Sequence, residues 1–186
     1  MSRGLLVVIA GPSGVGKGAV HSRVRRRLDD AVLSVSATTR QPRPNERDGV
    51  HYRFVDRAQF EQLAQSGELL EWAEYADNLY GTPKAPVIEA VERGEVVVLD
   101  IEVEGALQIK RQVPGALLVF LLPPSTTELE RRLRSRGTED DAAVAARMQR
   151  ATEEIRQRDA FDVEVINDDL DRCVNEVVEA ITAARK

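Results

Sequence analysis

The chain of 186 residues suffices for one domain with a buried core and a small inserted lobe, but not for two full domains. Its composition, 42% hydrophobic and 31% charged, excludes disordered and collagen-like classes, while 4% aromatic residues argues against a surface that stacks bases. The one cysteine, Cys173, excludes an internal disulfide framework, no Cys/His cluster has metal-ligand spacing, and the net charge of −5 disfavours a nucleic-acid binder.

The first predicted element is the apolar run Leu5–Ala10, which stops at Gly11 and reads as a strand buried on both faces of a parallel sheet. It is too short for a signal peptide or a membrane span, so the expected location is the reducing cytoplasm. Gly11, Pro12, Ser13, Gly14, Val15, Gly16, Lys17 and Gly18 then stand between that strand and a helical stretch over His21–Leu28. This is the context of a phosphate-binding loop. Glycines let successive N–H groups turn inward around a polyphosphate, the helix start adds its positive end, and Lys17 supplies a mobile ammonium. The Ser or Thr that usually follows the lysine as a Mg²⁺ ligand is missing, since Gly18 and Ala19 carry no hydroxyl.

A short strand is expected over Ala31–Val35. From Ser36 to about Thr82, Pro42, Pro44, Gly49, the alternating stretch His51–Val55, a helix opened by Asp56 and Gln59, and the run Leu69–Tyr75 predict a small inserted lobe. Short antiparallel strands with one helix suit this pattern. Arg40 and Arg43 flank Pro42 within the basic part of the chain, where residues 1–60 hold 11 Lys+Arg against 5 Asp+Glu. With Tyr52 and Tyr80 in the same lobe they form a candidate fork for a second phosphate, the alternative being solvated surface charge.

Core strands return at Val96–Ile101, Ala116–Leu122 and Val163–Ile166. The expected fold is therefore α/β, a mainly parallel sheet with helices on both faces and ligands beyond the carboxyl ends of its strands. Asp100 and Glu102, at the end of the first of these strands, are the nearest carboxylates for Mg²⁺, although Asp100 could instead cap a turn. A helix over 125–136 opens with a Ser125/Glu128 capping box, and a second insertion follows with a helical stretch across Ala142–Arg158. Arg132, Arg136 and Arg147 lie in this region. Their spacing leaves a phosphate-binding set and a salt-bridged surface helix equally open. The last helix, 169–184, aligns Val174, Val177, Val178 and Ile181 on one stripe, with Cys173 as packing. His21 and His51 read as surface residues.

Taken in order, Gly11–Lys17, Ser36–Arg43, Gly49–Tyr52, Leu69–Trp72, Asn78–Thr82, Leu99–Gly105, Pro123–Ser125, Arg136–Glu139 and Asn167–Asp169 resemble the guanylate kinase family across almost the whole chain. The resemblance implies one domain with a P-loop NTPase core (1–35, 83–133 and 160–186), a GMP-binding lobe (about 36–82) and a lid (about 134–159). It implies the reaction ATP + GMP → ADP + GDP with Mg²⁺, with dGMP also accepted. By the same resemblance the loop Gly11–Gly18 and Asn167 bind ATP, and Ser36, Arg40, Arg43, Tyr52, Glu71, Tyr80, Thr82 and Asp100 bind GMP. Lys17, Arg40, Arg132, Arg136 and Arg147 are the implied catalytic set, with Asp100 and Glu102 reaching the metal through water. Guanine offers N1–H and N2–H₂ donors beside its O6 acceptor, so Glu71 would accept from the former and Thr82 donate to the latter. The chain departs from the family at Ala19, where Thr is frequent, at Leu79, often Tyr, and at Glu104, often Gln. ATP and GMP are the expected partners, with no nucleic acid and no membrane, and a homo-oligomer is left open. A non-catalytic guanylate-kinase-like interaction module is the alternative, against which stand the intact loop and the lid arginines.

Overall fold

The structure, a computed structural model, describes residues 3–135 and 141–186; Arg136 and the rest of the 136–140 segment lie outside the described residues. A parallel sheet of strands β1 (Leu5–Ala10), β2 (Ala31–Leu33), β7 (Val96–Asp100), β8 (Leu117–Leu122) and β9 (Val163–Ile166) forms the core, in the order β2-β7-β1-β8-β9. Every residue of β1 is buried, as its unbroken apolar run predicts for a strand covered on both faces. Alternate side chains go to opposite faces. Val7 and Ile9 join Val20 and Val24 of helix α1 (Lys17–Arg27) and Val174, Val177 and Ile181 of the C-terminal helix α7 (Leu170–Ala184). Leu6 and Val8 pack with Val87 and Ala90 of α3 (Lys84–Glu92) and with Val103, Ala106 and Ile109 of α4 (Val103–Gln112).

Helix α1 opens at Lys17, ahead of the predicted His21. Gly16, at φ 100°, turns the chain directly into the helix, and Lys17, Gly18 and Ala19 add no apolar period that would reveal it. Strand β2 is shorter than predicted because only Ala31–Leu33 pairs with β7.

A second sheet follows in the order β4-β3-β6-β5, from β3 (Ala37–Thr38), β4 (Arg53–Phe54), β5 (Leu69–Tyr75) and β6 (Asn78–Pro83). It is not wholly antiparallel: β3 and β4 run parallel, the excursion between them bringing the chain back in the same direction. Asp56 caps α2 (Arg57–Gln65) in a complete capping box with Gln59, and Phe60 of that helix packs with Ala37, Leu69 and Leu79. Two amides of α4 tie this sheet to the core. Gln108 pairs with both backbone groups of Trp72, and Gln112 donates to the carbonyls of Leu69 and Leu70.

Helix α5 (Thr126–Arg134) is capped by Ser125, whose hydroxyl accepts the Glu128 N–H, but the predicted box is half-formed because the Glu128 carboxylate turns to Arg131 and Arg132. Helix α6 (Asp141–Ile155) packs on α5 through Leu129, Leu133, Val144 and Ala151, and a 3-10 turn, Arg158–Ala160, leads into β9. No helix among the described residues is long and apolar enough to cross a membrane.

Candidate active site

The loop between β1 and α1 lies at the carboxyl end of the central strand, where parallel sheets present their ligands. Gly11, Gly14 and Gly16 all have positive φ, and a Cβ at Gly11 would lie 2.5 Å from the Leu121 carbonyl oxygen. A side chain at Gly14 would meet Leu133, and one at Gly16 would stand 2.6 Å from Asn167 Nδ2. The loop is thus shaped by close neighbours as well as by its own torsions. Lys17 folds back over it, Nζ donating to the Gly11 carbonyl at 2.9 Å and reaching Glu102 Oε1 at 3.4 Å. Gly18 and Ala19 are exposed, and the helix closes behind them, the Ala19 and Val20 N–H groups donating to the Gly16 carbonyl at 3.1 and 3.2 Å.

Arg132 and Asn167, which sequence assigned to nucleotide contact, brace this loop. Asn167 Nδ2 donates to the Val15 carbonyl at 2.7 Å, and Arg132 Nη1 donates to the same oxygen at 3.2 Å. The Arg132 guanidinium is further held by the Asn167 carbonyl and by Glu128. Its charge therefore stands at the loop in a fixed orientation, not as an unattached lid cation.

Asp100 ends β7 beside the loop: a Cβ at Gly18 would lie 3.9 Å from its Oδ2. Crowding by protein raises the Asp100 carboxyl above its ordinary value, opposed by the positive charge of Lys17 and by His21. His21 is not a plain surface residue as predicted, because its Nε2 hydrogen-bonds the Val98 carbonyl at 3.1 Å and fastens α1 to β7. Asp100 and Glu102 are hard oxygen donors, suited to Mg²⁺ with its retained waters. Among the described residues no group of three His, Cys, Asp or Glu side chains could hold a metal by itself.

In the second sheet, the β5–β6 register sets Glu71 opposite Thr82, and both are buried. The Thr82 hydroxyl donates to Glu71 Oε1 at 2.6 Å. Its one proton is committed to the acid, so in this arrangement Thr82 orients Glu71 and does not stand ready to donate to a base oxygen. Burial raises the Glu71 carboxyl, with the Thr82 hydrogen bonds acting in the opposite sense. Gly105, in the first turn of α4, permits this approach: a Cβ there would stand 3.0 Å from Glu71 Oε2. Neither Gly105 nor the Gln108 anchor carries a local sequence signal, since both act on a strand more than thirty residues away.

Arg40, Tyr52 and Tyr80 come together on the same sheet. The Arg40 guanidinium lies 5.4 Å from the Tyr52 ring centroid, and the two tyrosine rings meet edge-on at 6.1 Å. The hydroxyls of Thr38 and Thr39 hold the backbone of the turn, accepting the N–H groups of Arg40 and Leu79. Ser36 accepts the Arg53 N–H on its carbonyl, and Arg43 is exposed. Glu46, which sequence reasoning passed over, grips Arg40 with both carboxylate oxygens and accepts the Arg43 N–H; these hydrogen bonds, that from the Arg40 side chain foremost, lower its carboxyl to about 2. Arg147 lies on α6, as does Glu154, a buried carboxylate whose Oε1 takes Arg150 while burial and the like charge of Glu102 raise it.

The guanylate kinase family model matches residues 3–184. A guanylate kinase of Carboxydothermus hydrogenoformans is 48% identical over 185 residues, covering 100% of this chain and 91% of that protein. One from Synechococcus elongatus is 52% identical over 181 residues, covering 97% of this chain and 99% of its own. The crystal structure of guanylate kinase from Anaplasma phagocytophilum is similar with a TM-score of 0.76 at 30% identity, covering 99% of this chain and 87% of that one.

Proposed function

The chain belongs to the guanylate kinase family, and from that premise we propose that it transfers the γ-phosphoryl group of ATP to GMP, and to dGMP, giving ADP and GDP. The observation that carries this reading is the buried Glu71 carboxylate, oriented by Thr82 and seated on the same small sheet as the Arg40, Tyr52 and Tyr80 cluster. An acceptor pair at one end and a cationic fork at the other suit a nucleotide whose base edge carries two donors and whose other end is a phosphate.

In the proposed reaction a GMP phosphate oxygen bonds to the γ-phosphorus as the bond to the β,γ-bridging oxygen breaks, and ADP departs with that oxygen. Two anions must be held in line, and the enzyme forms no covalent intermediate. The loop 11–18 cradles the ATP phosphates, with Lys17 exchanging the Gly11 carbonyl and Glu102 for their oxygens. Arg40, Arg43, Tyr52 and Tyr80 hold the GMP phosphate, with Ser36 and Asp100 completing that site. Arg132 contributes from its braced position at the loop, while Arg136 and Arg147 arrive with the lid, segment 134–159, as it closes and excludes water. Asn167 serves ATP through the loop it fastens. Mg²⁺, carried by ATP and reached through water by Asp100 and Glu102, would neutralise charge on the transferring group. The cytoplasm, reducing and nucleotide-rich, is the proposed setting.

Coupled measurement of ADP release with ATP and GMP tests the reading. Lys17→Ala is expected to lower kcat by about 10³-fold with the far-ultraviolet circular dichroism unchanged, because one preorganised charge at the transferring group is lost. Equal turnover in that variant would contradict the role given to the lysine.

A further inference from the structure

Building on the GMP-kinase reading above, we propose that Glu46 is the positioning residue of the GMP-phosphate clamp, fixing the plane and reach of the Arg40 guanidinium and the turn that carries Arg43. Arg40 Nη2 donates to Glu46 Oε1 at 2.9 Å and Nη1 to Oε2 at 3.0 Å, while the Arg43 N–H reaches Oε2 at 2.8 Å. One carboxylate therefore orders both arginines of the clamp, one by its side chain and the other by its backbone. The Gln41 carbonyl accepts a further Nη1 hydrogen at 2.8 Å. These contacts take three of the five guanidinium N–H groups, and the Tyr80 hydroxyl lies against the same guanidinium as a further hydrogen-bond partner, so Arg40 is ordered from both sides before any phosphate arrives.

The surroundings fix the plane of the group. Its central carbon lies 5.4 Å from the Tyr52 ring centroid and 5.9 Å from that of Phe54, and the Arg40 and Glu46 side chains are only 18% and 15% exposed. A long arginine side chain otherwise loses rotamer freedom when it binds an anion, and here that ordering is complete beforehand. Glu46 also offsets part of the charge of Arg40. Net attraction is weakened while direction is gained, and direction is what in-line transfer requires of the acceptor phosphate.

The test is a double-mutant cycle in steady-state kinetics on the full chain, with GMP and ATP each varied for wild type, Glu46→Gln, Arg40→Lys and the double variant. The Gln side chain keeps the size but loses the charge and the two-oxygen grip. Glu46→Gln is expected to raise KM for GMP about 10-fold or more, the scale of a charge-assisted hydrogen bond, and to leave KM for ATP within about 2-fold. The double variant should be little worse than Arg40→Lys alone, because Glu46 acts through that arginine. An unchanged KM for GMP, an equal rise in both KM values, or independent multiplication of the two effects would each overturn the proposal. Should Glu46→Gln not fold, Glu46→Asp, which withdraws the charge by one methylene, is read by the same criteria. Absence of GMP turnover in wild type would instead strike the functional reading on which the proposal rests.

Discussion

A carboxylate proposed to read guanine must be shielded from water, and the burial that shields Glu71 costs stability whenever the group carries charge. Burial raises its folded-state pKa above the ordinary 4.5, so the folded protein holds this proton more tightly than the unfolded chain. The stabilisation from that difference is fully present below pH 4.5 and is lost as pH rises through the folded pKa. Near neutrality Glu71 is thus a burden in the protein without nucleotide. Glu71→Gln retains an acceptor for the Thr82 hydroxyl and removes the charge, so its melting temperature should exceed wild type at pH 7 and converge with it below about pH 4.5. Melting curves across pH check this, and a lower melting temperature at pH 7 would contradict it. Residues of this kind are unevenly visible in sequence. Lys17 stands in a loop whose strand and helix announce it, whereas Glu71 was reached only through family resemblance, because a strand-edge glutamate looks like any other. Glu46, three residues beyond Arg43, carried a readable Arg-x-x-Glu spacing, but the bend that turns it back onto Arg40 is made by the intervening turn.

Elements were legible wherever an apolar period belonged to one buried surface. Strand β9 and the run of β5 coincide with their predicted limits, and α7 buries Val174, Val177 and Ile181 of its predicted stripe, with Val178 half-buried at its edge. The parallel pairing of β3 with β4 was not legible, since two-residue strands carry no period and their partner is chosen by the fold. Nor was the bracing of the phosphate loop by the segment after β9. There Asn167 Nδ2 donates to the Val15 carbonyl from a position 152 residues away, and Arg132 closes the same oxygen from α5. Asn167→Asp sets a carboxylate oxygen against that carbonyl, replacing a buried donor by a charge. Loss of about 1–3 kcal/mol of stability is expected from the lost Asn167 hydrogen bond and the repulsion, with Arg132 left as the donor to that carbonyl, together with a raised KM for ATP and a KM for GMP near that of wild type. Chemical denaturation and kinetics read the two effects separately; unchanged stability and an unchanged KM for ATP would show that the loop needs no such brace.

At the scale of the whole molecule, the net charge of −5 averages over a basic first third, residues 1–60 holding 11 Lys+Arg against 5 Asp+Glu, and an acidic remainder. The parallel sheet brings the β1 loop and the β7 carboxylates to the same end, and α4 carries the second sheet by its glutamine anchors to Trp72, Leu69 and Leu70, which brings Glu71 against Gly105. The proposed base reader and the proposed phosphate loop are thereby linked through one helix. The most direct test of the account is ADP release from ATP with AMP, UMP, CMP, GMP and dGMP in turn, for wild type and Glu71→Gln. GMP and dGMP should exceed AMP by about 10⁴-fold or more in kcat/KM, as expected when a buried polar reader is left unpaired by the wrong base, and Glu71→Gln should erase most of that margin. Comparable turnover of AMP by wild type, or full GMP selectivity in Glu71→Gln, would contradict it.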